Sequence, residues 1–535
     1  MSIIPILLIF IPIFAALLVY LVKDAKFSNI VFLAQGTMIV LFILYALFLR
    51  DNPDQALLIL GGSEERIRIS LYNDTLSLSF VGLTIGLWFI ILMYTFNTNK
   101  KENKFLFFLM FLEGVFLGLI QTNDLFNLFV FLELMAVLVT ILITYKKTGP
   151  SFRAGIYYLL LNTVGAMIFL IGIILIYYAY GTINIQWILA NIALHSETTT
   201  VKLAYIFMIS GISVKAALFP VFTWLPKAHG VAQSTISALL SGLIVKGALY
   251  MFLRINNEMF ALANYGTSGF FFWLGAVTAL TGVAFALSQK DLKQILAYST
   301  ISQIGIVMMG ISSASSLSHF GGLLHIFNHA FFKSLLFLGA GVVIKVYHAK
   351  KIDEIKGVFR TMPWTAILLI VAMLAVSGAP LFNGYVSKTL IKYDFKDDVL
   401  KMAIFTLINL GTITYFIKFS SILFGPKQDL KVERNIKQHL SMTILAALCV
   451  FVGVFYQLIG QTLFNIDLSY VTWYRLEGIL EYLLYVGIGV LLYTYVIQKD
   501  FYPIRKLRTT NITFESANYL FIVYLIILAI FVIGL

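Results

Sequence analysis

The chain has 535 residues and a formal net charge of +13, yet only 12% of its residues are charged while 60% are hydrophobic. Soluble domains carry about 25% charged residues, so this composition excludes a soluble multidomain protein, and short basic segments between apolar runs fit membrane topology rather than nucleic-acid binding. The single cysteine, Cys449, excludes an internal disulfide and an iron–sulfur cluster held by this chain alone, because such clusters use about four thiolates.

Sixteen apolar segments succeed one another along the chain, and each is long enough to cross a bilayer as a helix. We number them spans one to sixteen; they cover roughly 3–22, 29–49, 76–97, 105–121, 123–144, 154–179, 203–222, 232–253, 269–288, 294–311, 319–344, 364–387, 402–424, 441–460, 478–497 and 517–535. The predicted fold is therefore an all-α polytopic membrane protein with about sixteen transmembrane helices.

The loops between these spans alternate in positive charge. Loops that follow odd-numbered spans hold 24 Lys and Arg residues, whereas those that follow even-numbered spans hold 9. Positive charge accumulates on the cytoplasmic side of a membrane. The alternation predicts a protein of the inner (cytoplasmic) membrane, with cytoplasmic loops at 100–104 and 345–360 and both termini outside.

Five lysines and two glutamates stand out inside the predicted spans, where each costs roughly 2.5–3.5 kcal/mol on insertion scales. They are Glu113, Glu133, Lys215, Lys246, Lys333, Lys388 and Lys418. Lys418 is close enough to the cytoplasmic end of span thirteen to snorkel towards water. The other six must face protein or water and find polar partners, which predicts a buried hydrophilic path.

Depth suggests how some of these charges pair. Glu133 lies ten residues into span five and Lys215 twelve residues into span seven, and both spans enter from the same side. At 1.5 Å per residue both side chains are about 15–18 Å deep. Two interpretations stay open for this pair: a proton-carrying switch, or a structural salt bridge. Glu113 is likewise open between function and packing.

Span eleven carries a row of proton-capable side chains. His325, His329 and Lys333 are spaced by four residues, so they share one helical face. Satisfied polar packing is the alternative interpretation of the two histidines. A metal pair is disfavoured, since no third ligand stands nearby.

Two spans contain helix-breaking residues. Span seven reads Lys215-Ala-Ala-Leu-Phe-Pro220, and span twelve reads Ser377-Gly-Ala-Pro380 before Lys388. Breaks inside a span are tolerated where they line a polar cavity. Breaks in corresponding places of two halves point to an ion site in an inverted-repeat transporter.

Several stretches resemble the antiporter-like subunits shared by respiratory complex I, Mrp-type Na⁺/H⁺ antiporters and membrane-bound hydrogenases. They are Asp124-Leu-Phe-Asn-Leu-Phe-Val-Phe-Leu-Glu133, Lys215-Ala-Ala-Leu-Phe-Pro220, Trp224-Leu-Pro226-Lys-Ala-His229, Ser237-Ala-Leu-Leu-Ser-Gly-Leu-Ile-Val-Lys246, Asp291-Leu-Lys293-Gln-Ile-Leu-Ala-Tyr298-Ser299 and His325-Ile-Phe-Asn-His329-Ala-Phe-Phe-Lys333. The resemblance covers about residues 75–425, and together these motifs are highly specific.

The resemblance implies a fourteen-helix core with two inverted five-helix repeats and discontinuous helices seven and twelve. Residues 1–75 would hold spans one and two with a short outer loop, 76–425 the translocation core, with repeats at about 105–253 and 269–424, and 426–535 spans fourteen to sixteen. Glu133 would tune Lys215, and Lys246 would relay charge to the centre. His325, His329 and Lys333 would continue the central axis, and Lys388 would be the exit-side lysine.

The family also implies what surrounds the chain. It would move H⁺, or H⁺ and Na⁺, as one subunit of a redox-driven or antiporter complex, without a cofactor or enzymatic activity of its own. Its partners would be the lipid bilayer and other membrane subunits, including further antiporter-like ones, and no nucleic acid. A stand-alone transporter of a small solute and a non-conducting structural subunit are the alternatives. The long lateral helix of the largest complex I relative has no room here, because the interval 498–516 is short, basic and contains Pro503.

Overall fold

In a computed structural model the described part of the chain is all-α apart from one short hairpin. The structure describes residues 3–21, 27–62, 69–96, 103–263, 265–433, 435–464, 466–468, 471–472 and 476–534. The predicted loop cations Lys23, Lys26, Lys100 and Lys101 lie outside these described residues.

The predicted spans are helical over most of their described residues, which confirms the all-α polytopic fold. Fourteen helices in the described part of the chain are long and apolar enough to cross a membrane. They are Ile4–Leu21, Phe27–Asp51, Thr75–Thr95, Asn103–Gln121, Leu125–Thr144, Gly149–Tyr180, Ser234–Met259, Ser268–Ser288, Leu292–Ile311, Ser316–Tyr347, Val399–Ser420, Ile436–Val454, Leu476–Ile497 and Phe514–Ile533.

Spans seven and twelve are the two that the sequence predicts to be broken, and both are. Span seven divides into Thr199–Lys215, which we call seven a, and Trp224–Val231, seven b. Span twelve divides into Pro363–Ser377, twelve a, and Asn383–Lys392, twelve b. The apolar run 203–222 is therefore not one helix, because regular structure stops at Lys215.

Acidic side chains begin several of these helices. Asp124 accepts a hydrogen bond from the backbone N–H of Asn127 at 2.7 Å and caps span five. Asp291 accepts from the N–H groups of Lys293 and Gln294 at 2.8 and 3.1 Å and caps span ten. Both aspartates open motifs quoted above, so part of each motif specifies a helix start rather than chemistry.

A two-stranded hairpin and short helices connect the spans. Strands β1, Leu57–Gly61, and β2, Ile69–Tyr72, pair antiparallel with Leu58 opposite Leu71. Shorter helices cover Pro53–Ala56, Ile185–Asn191, Ile192–Leu194, Ala261–Ala263, Val358–Thr361, Tyr393–Phe395, Tyr456–Phe464 and Tyr502–Thr509. The last is a helix of only 8 residues within the interval 498–516, which agrees with the predicted lack of a long arm.

The chain forms two compact units. Unit 1 comprises Met1–Ala216, Leu243–Thr267 and Phe514–Leu535, and unit 2 comprises Ala217–Gly242 and Ser268–Thr513. Within unit 2, spans nine and ten pack backbone to backbone, since a Cβ added at Gly282 would meet the backbone of Ser302.

Cations cover the C-terminal end of span nine in unit 2. Lys418 Nζ donates to the carbonyls of Leu287, at 2.7 Å, and Gln289, and Arg508 Nε donates to Ser288 O at 2.6 Å. A helix C-terminus has unpaired carbonyls and a partial negative charge, so these contacts satisfy both. Lys418, expected to snorkel, is instead 4% exposed and bound to these carbonyls.

Candidate functional site

In unit 1 the predicted pair comes together. Lys215 Nζ lies 3.7 Å from Glu133 Oε1, and the two side chains are 4% and 24% exposed. Glu133 Oε2 also accepts a hydrogen bond from Thr163 Oγ1 on span six at 3.4 Å. The contact is longer than a strong charged hydrogen bond, so it joins two groups that small movements can separate or tighten.

Lys215 owes its place to the break in span seven. It is the last residue of helix seven a, and the chain then leaves the helix through Ala217, whose φ is +55°. A helix ends in unpaired carbonyls with a partial negative charge, which stabilises a cation there. The break therefore gives a buried lysine a second source of stabilisation besides Glu133.

Lys246 lies fully buried in span eight. The helix widens to a π-helical turn at Leu240–Ile244, directly before it, and again at Leu253–Met259. Such wide turns inside α-helices occur frequently at functional sites. Apolar periodicity does not reveal them.

In unit 2 the central histidine is held at both ring nitrogens. His325 Nδ1 lies 2.8 Å from Ser387 Oγ on twelve b, and Nε2 lies 3.1 Å from Gln303 Oε1 on span ten. The His329 ring stacks on that of His325 with centroids 6.5 Å apart, and both residues are fully buried. The two histidines thus share one helical face, as their spacing predicts, and His325 joins three helices by polar contacts.

Lys333 continues this row one turn further along span eleven. It is fully buried; its Nζ donates to Leu296 O at 3.1 Å and to Ser299 Oγ, both on span ten. The sequence motif around Ser299 does not indicate that Ser299 contacts Lys333. The structure shows that the Ser299 hydroxyl accepts a hydrogen bond from the Lys333 side chain.

Lys388 repeats in unit 2 the relation of a buried lysine to a helix break. Helix twelve a ends at Ser377, and its C-cap residue Gly378 has a φ of +80°, which favours glycine. Lys388 on twelve b is 5% exposed, and its Nζ donates to Val376 O at 2.9 Å, a carbonyl near the end of twelve a. Asn328 Nδ2 donates to Asn383 O at 2.9 Å and so ties the start of twelve b to span eleven.

The break in span twelve predicts a sensitive glycine. A Cβ at Gly384 would overlap the backbone carbonyl of Ala375, which a side-chain rotation cannot relieve. We expect Gly384→Ala to destabilise the protein by about 1–3 kcal/mol through overpacking and to lower its thermal midpoint in detergent. Gly487→Ala on span fifteen is the matched control, because nothing lies within 4 Å of its added Cβ. Equal midpoints for both variants would refute this packing.

Glu113, left open by the sequence, is fully buried in unit 1. Its Oε2 accepts a hydrogen bond from Gln35 Nε2 on span two at 2.6 Å. Glu113 therefore has a structural hydrogen-bond partner, and we do not assign it to the Glu133–Lys215 pair.

Arg254 corrects the loop-charge count. The apolar run predicts it as a loop residue after span eight, but the helix continues to Met259 and Arg254 is 5% exposed. Its guanidinium binds Asp74 and Glu258, with Nη1 2.7 and 2.6 Å from their carboxylates, and Nε donates to Tyr250 OH at 2.9 Å. Because Arg254 follows the predicted apolar run directly, the sequence pattern does not indicate this buried charge cluster.

Comparisons with known proteins show what this chain is similar to. Residues 122–418 match the family model described as NADH:quinone oxidoreductase/Mrp antiporter, TM. The chain is 27% identical over 449 residues to "Putative antiporter subunit mnhD2" of Staphylococcus aureus (strain MRSA252), covering 82% of this chain and 90% of that protein. It is 27% identical over 461 residues to a Na(+)/H(+) antiporter subunit of Alkalihalophilus pseudofirmus, covering 83% and 93%.

Two solved structures have similar folds. A chain of the membrane-bound sulfane sulfur reductase, an archaeal respiratory membrane complex, aligns with a TM-score of 0.78 and 25% identity over 90% of this chain and 99% of that one. A chain of the Mrp complex from Dietzia sp. DQ12-45-1b aligns with a TM-score of 0.78 and 20% identity, over 95% and 99%. The second likeness concerns the fold alone.

Proposed function

Because this chain belongs to the family of transmembrane subunits of NADH:quinone oxidoreductases and Mrp antiporters, we propose that it translocates H⁺, or H⁺ coupled to Na⁺, as one membrane subunit of a larger complex. The observation that carries this proposal is the ion pair between half-buried Glu133 and buried Lys215 at the end of a broken helix. Relatives named as antiporter subunits support the same function.

The pair works as a two-state element. Burial disfavours the charged ammonium of Lys215, whereas Glu133 and the end of helix seven a favour it. Separating Glu133 from Lys215 releases the proton, and restoring contact reloads the lysine. A redox or ion-binding event in a partner protein of the complex biases the two states. The energy scale is suitable, since one charge crossing the membrane is worth about 2.3 kcal/mol per 100 mV.

The remaining lysines and histidines extend this path in our proposal. Lys246 takes charge from Lys215, and His325, His329 and Lys333 carry it along span eleven. Lys388 then releases it on the exit side. Each of these groups can gain and lose a proton, and each is buried, as a path shielded from lipid requires.

The native assembly tests this function against its alternatives. We expect the chain to co-purify with further membrane subunits, including antiporter-like ones, and the isolated chain to show no electron transfer. Mass spectrometry of the intact complex identifies the partners, and ion uptake by reconstituted vesicles measures translocation. A lone chain that moves a small solute would support the stand-alone transporter, and an assembled complex that moves no ions would support the structural subunit.

Membrane orientation is a separate prediction. The loop charges favour a cytoplasmic position for 345–360 and an outer position for both termini. In a Cys449→Ser background, Lys351→Cys should resist a membrane-impermeant thiol reagent added to intact cells and react after permeabilisation. Glu197→Cys, in the loop after span six and 79% exposed, should react in intact cells. The opposite pattern would invert the proposed topology.

A further inference from the structure

A small open cleft lies beside Lys388 in unit 2. Helices twelve a and twelve b and spans thirteen and fifteen line it, and its polar walls include Ser377, Lys388, Lys392, Glu481, Tyr482 and Tyr485. The cleft thus connects the buried lysine of span twelve with Glu481 on span fifteen, a span that lies beyond the residues that the family model matches.

The cleft also contains an ion pair whose two side chains are more exposed than Lys388. Lys392 Nζ lies 2.8 Å from Glu481 Oε1, which also accepts from Tyr485 OH at 2.7 Å. The side chains of Lys392 and Glu481 are 35% and 43% exposed, whereas Lys388 is 5% exposed. Exposure therefore increases from Lys388 towards Glu481, as expected for a path that leads out of the protein.

Glu481 is a costly residue for its position. It lies five residues after Leu476, about 8 Å along a helix whose other charged residue is Glu477 in the first turn. A carboxylate at such a place is tolerated when it pairs or faces a polar cavity, and here it does both. The pair itself contributes little to stability, because part-exposed ion pairs are weak. Packing alone therefore gives no strong reason for a carboxylate here.

We propose that Glu481 is the terminal proton acceptor of the path, with Lys392 as its gate; this proposal rests on the translocation function above. The Lys388 ammonium gives its proton to the Glu481 carboxylate through water in the cleft and becomes a neutral amine. Neutral Glu481 no longer holds Lys392, so the pair opens. Glu481 then releases the proton to the outer solution and pairs with Lys392 again, and the path reloads Lys388.

Proton uptake by the reconstituted native complex tests the role of Glu481. Glu481→Gln keeps the side-chain size and a hydrogen-bonding oxygen but cannot accept the proton, so we expect the initial rate to fall about tenfold or more. Glu481→Asp should recover part of that rate. Glu477→Gln is the matched control, because Glu477 is an exposed carboxylate one turn earlier on the same helix and does not line the cleft; its rate should equal that of the unaltered complex.

The transport rates distinguish a failure of the Glu481 role from a failure of the proposed translocation function. If the unaltered complex translocates and Glu481→Gln matches it in rate at equal assembly, the terminal-acceptor role is wrong while the proposed function stands. If the unaltered complex moves no ions, the function itself fails.

Chemical access to the cleft gives an independent readout. With Cys449→Ser, Thr389→Cys places a thiol on the cleft wall. We expect an impermeant charged thiol reagent to label it from the outer side and to slow translocation in the otherwise active complex. An unreactive thiol, or labelling that leaves the rate unchanged, would overturn the cleft as the exit.

Discussion

Lys215→Met should abolish ion translocation while the complex still assembles. Methionine has a similar length and no charge, so it fills the buried site at the end of helix seven a. Glu133 remains 24% exposed and keeps its contact with Thr163, so it is not stranded in an apolar core. Because the carrier of the proton is gone, we expect the rate to fall by about a hundredfold or more.

The comparison needs assembly and transport from one preparation. Subunit content by mass spectrometry measures assembly, and uptake into vesicles measures transport. Lys202→Met is the matched control, since Lys202 lies on the same helix and pairs with exposed Glu197 at 3.0 Å. Transport that persists in assembled Lys215→Met complexes would contradict the role of Lys215 as the proton carrier.

Arg254→Met should strongly destabilise unit 1. Arg254 is the shared cation of Asp74, at the start of span three, and of Glu258, near the end of span eight. Removing one partner from a buried charge network costs about 3–5 kcal/mol, because the remaining charges stay uncompensated. A lowered thermal midpoint in detergent at neutral pH measures this loss, and an unchanged midpoint would contradict it.

The loss should depend on pH in a defined direction. Burial raises the pKa of Asp74, but the Arg254 guanidinium and the Ser77 hydrogen bonds outweigh this, so its pKa lies below the ordinary value. A lowered carboxyl pKa stabilises the fold above the unfolded value, about 3.9, and that stability is lost as pH falls through the folded value. The difference in thermal midpoint between Arg254→Met and the unaltered protein should therefore become smaller at acid pH. Arg50→Met removes an exposed ion pair and should have little effect at any pH.

Much of the fold follows from the sequence because lipid imposes simple requirements. Apolar length predicts the spans, and Gly378, Pro220 and Pro380 mark the breaks where the backbone leaves the helix. Depth counted along the helices also predicts the Glu133–Lys215 contact, since two charges at the same level in an apolar medium must meet.

Other features depend on tertiary packing and leave no periodic signal. The π-helical turn at Leu240–Ile244, before Lys246, comes from one extra residue in a turn within the apolar run of span eight. Ser387 and Gln303 lie on two other helices, and only the packing of those helices against span eleven places them beside His325. Glu481 lies near the edge of an apolar run, and its sequence position does not reveal that it pairs with Lys392 in the cleft beside Lys388.

The proposal that Glu133 and Lys215 form a proton switch is tested most directly by comparing Glu133→Gln, Lys215→Met and the double variant for assembly and ion uptake. A structural salt bridge predicts that each single variant loses assembly and that the double variant regains it together with transport, because neither charge is then left alone. A proton switch predicts that all three assemble and that none translocates ions. Transport in the double variant would contradict the account.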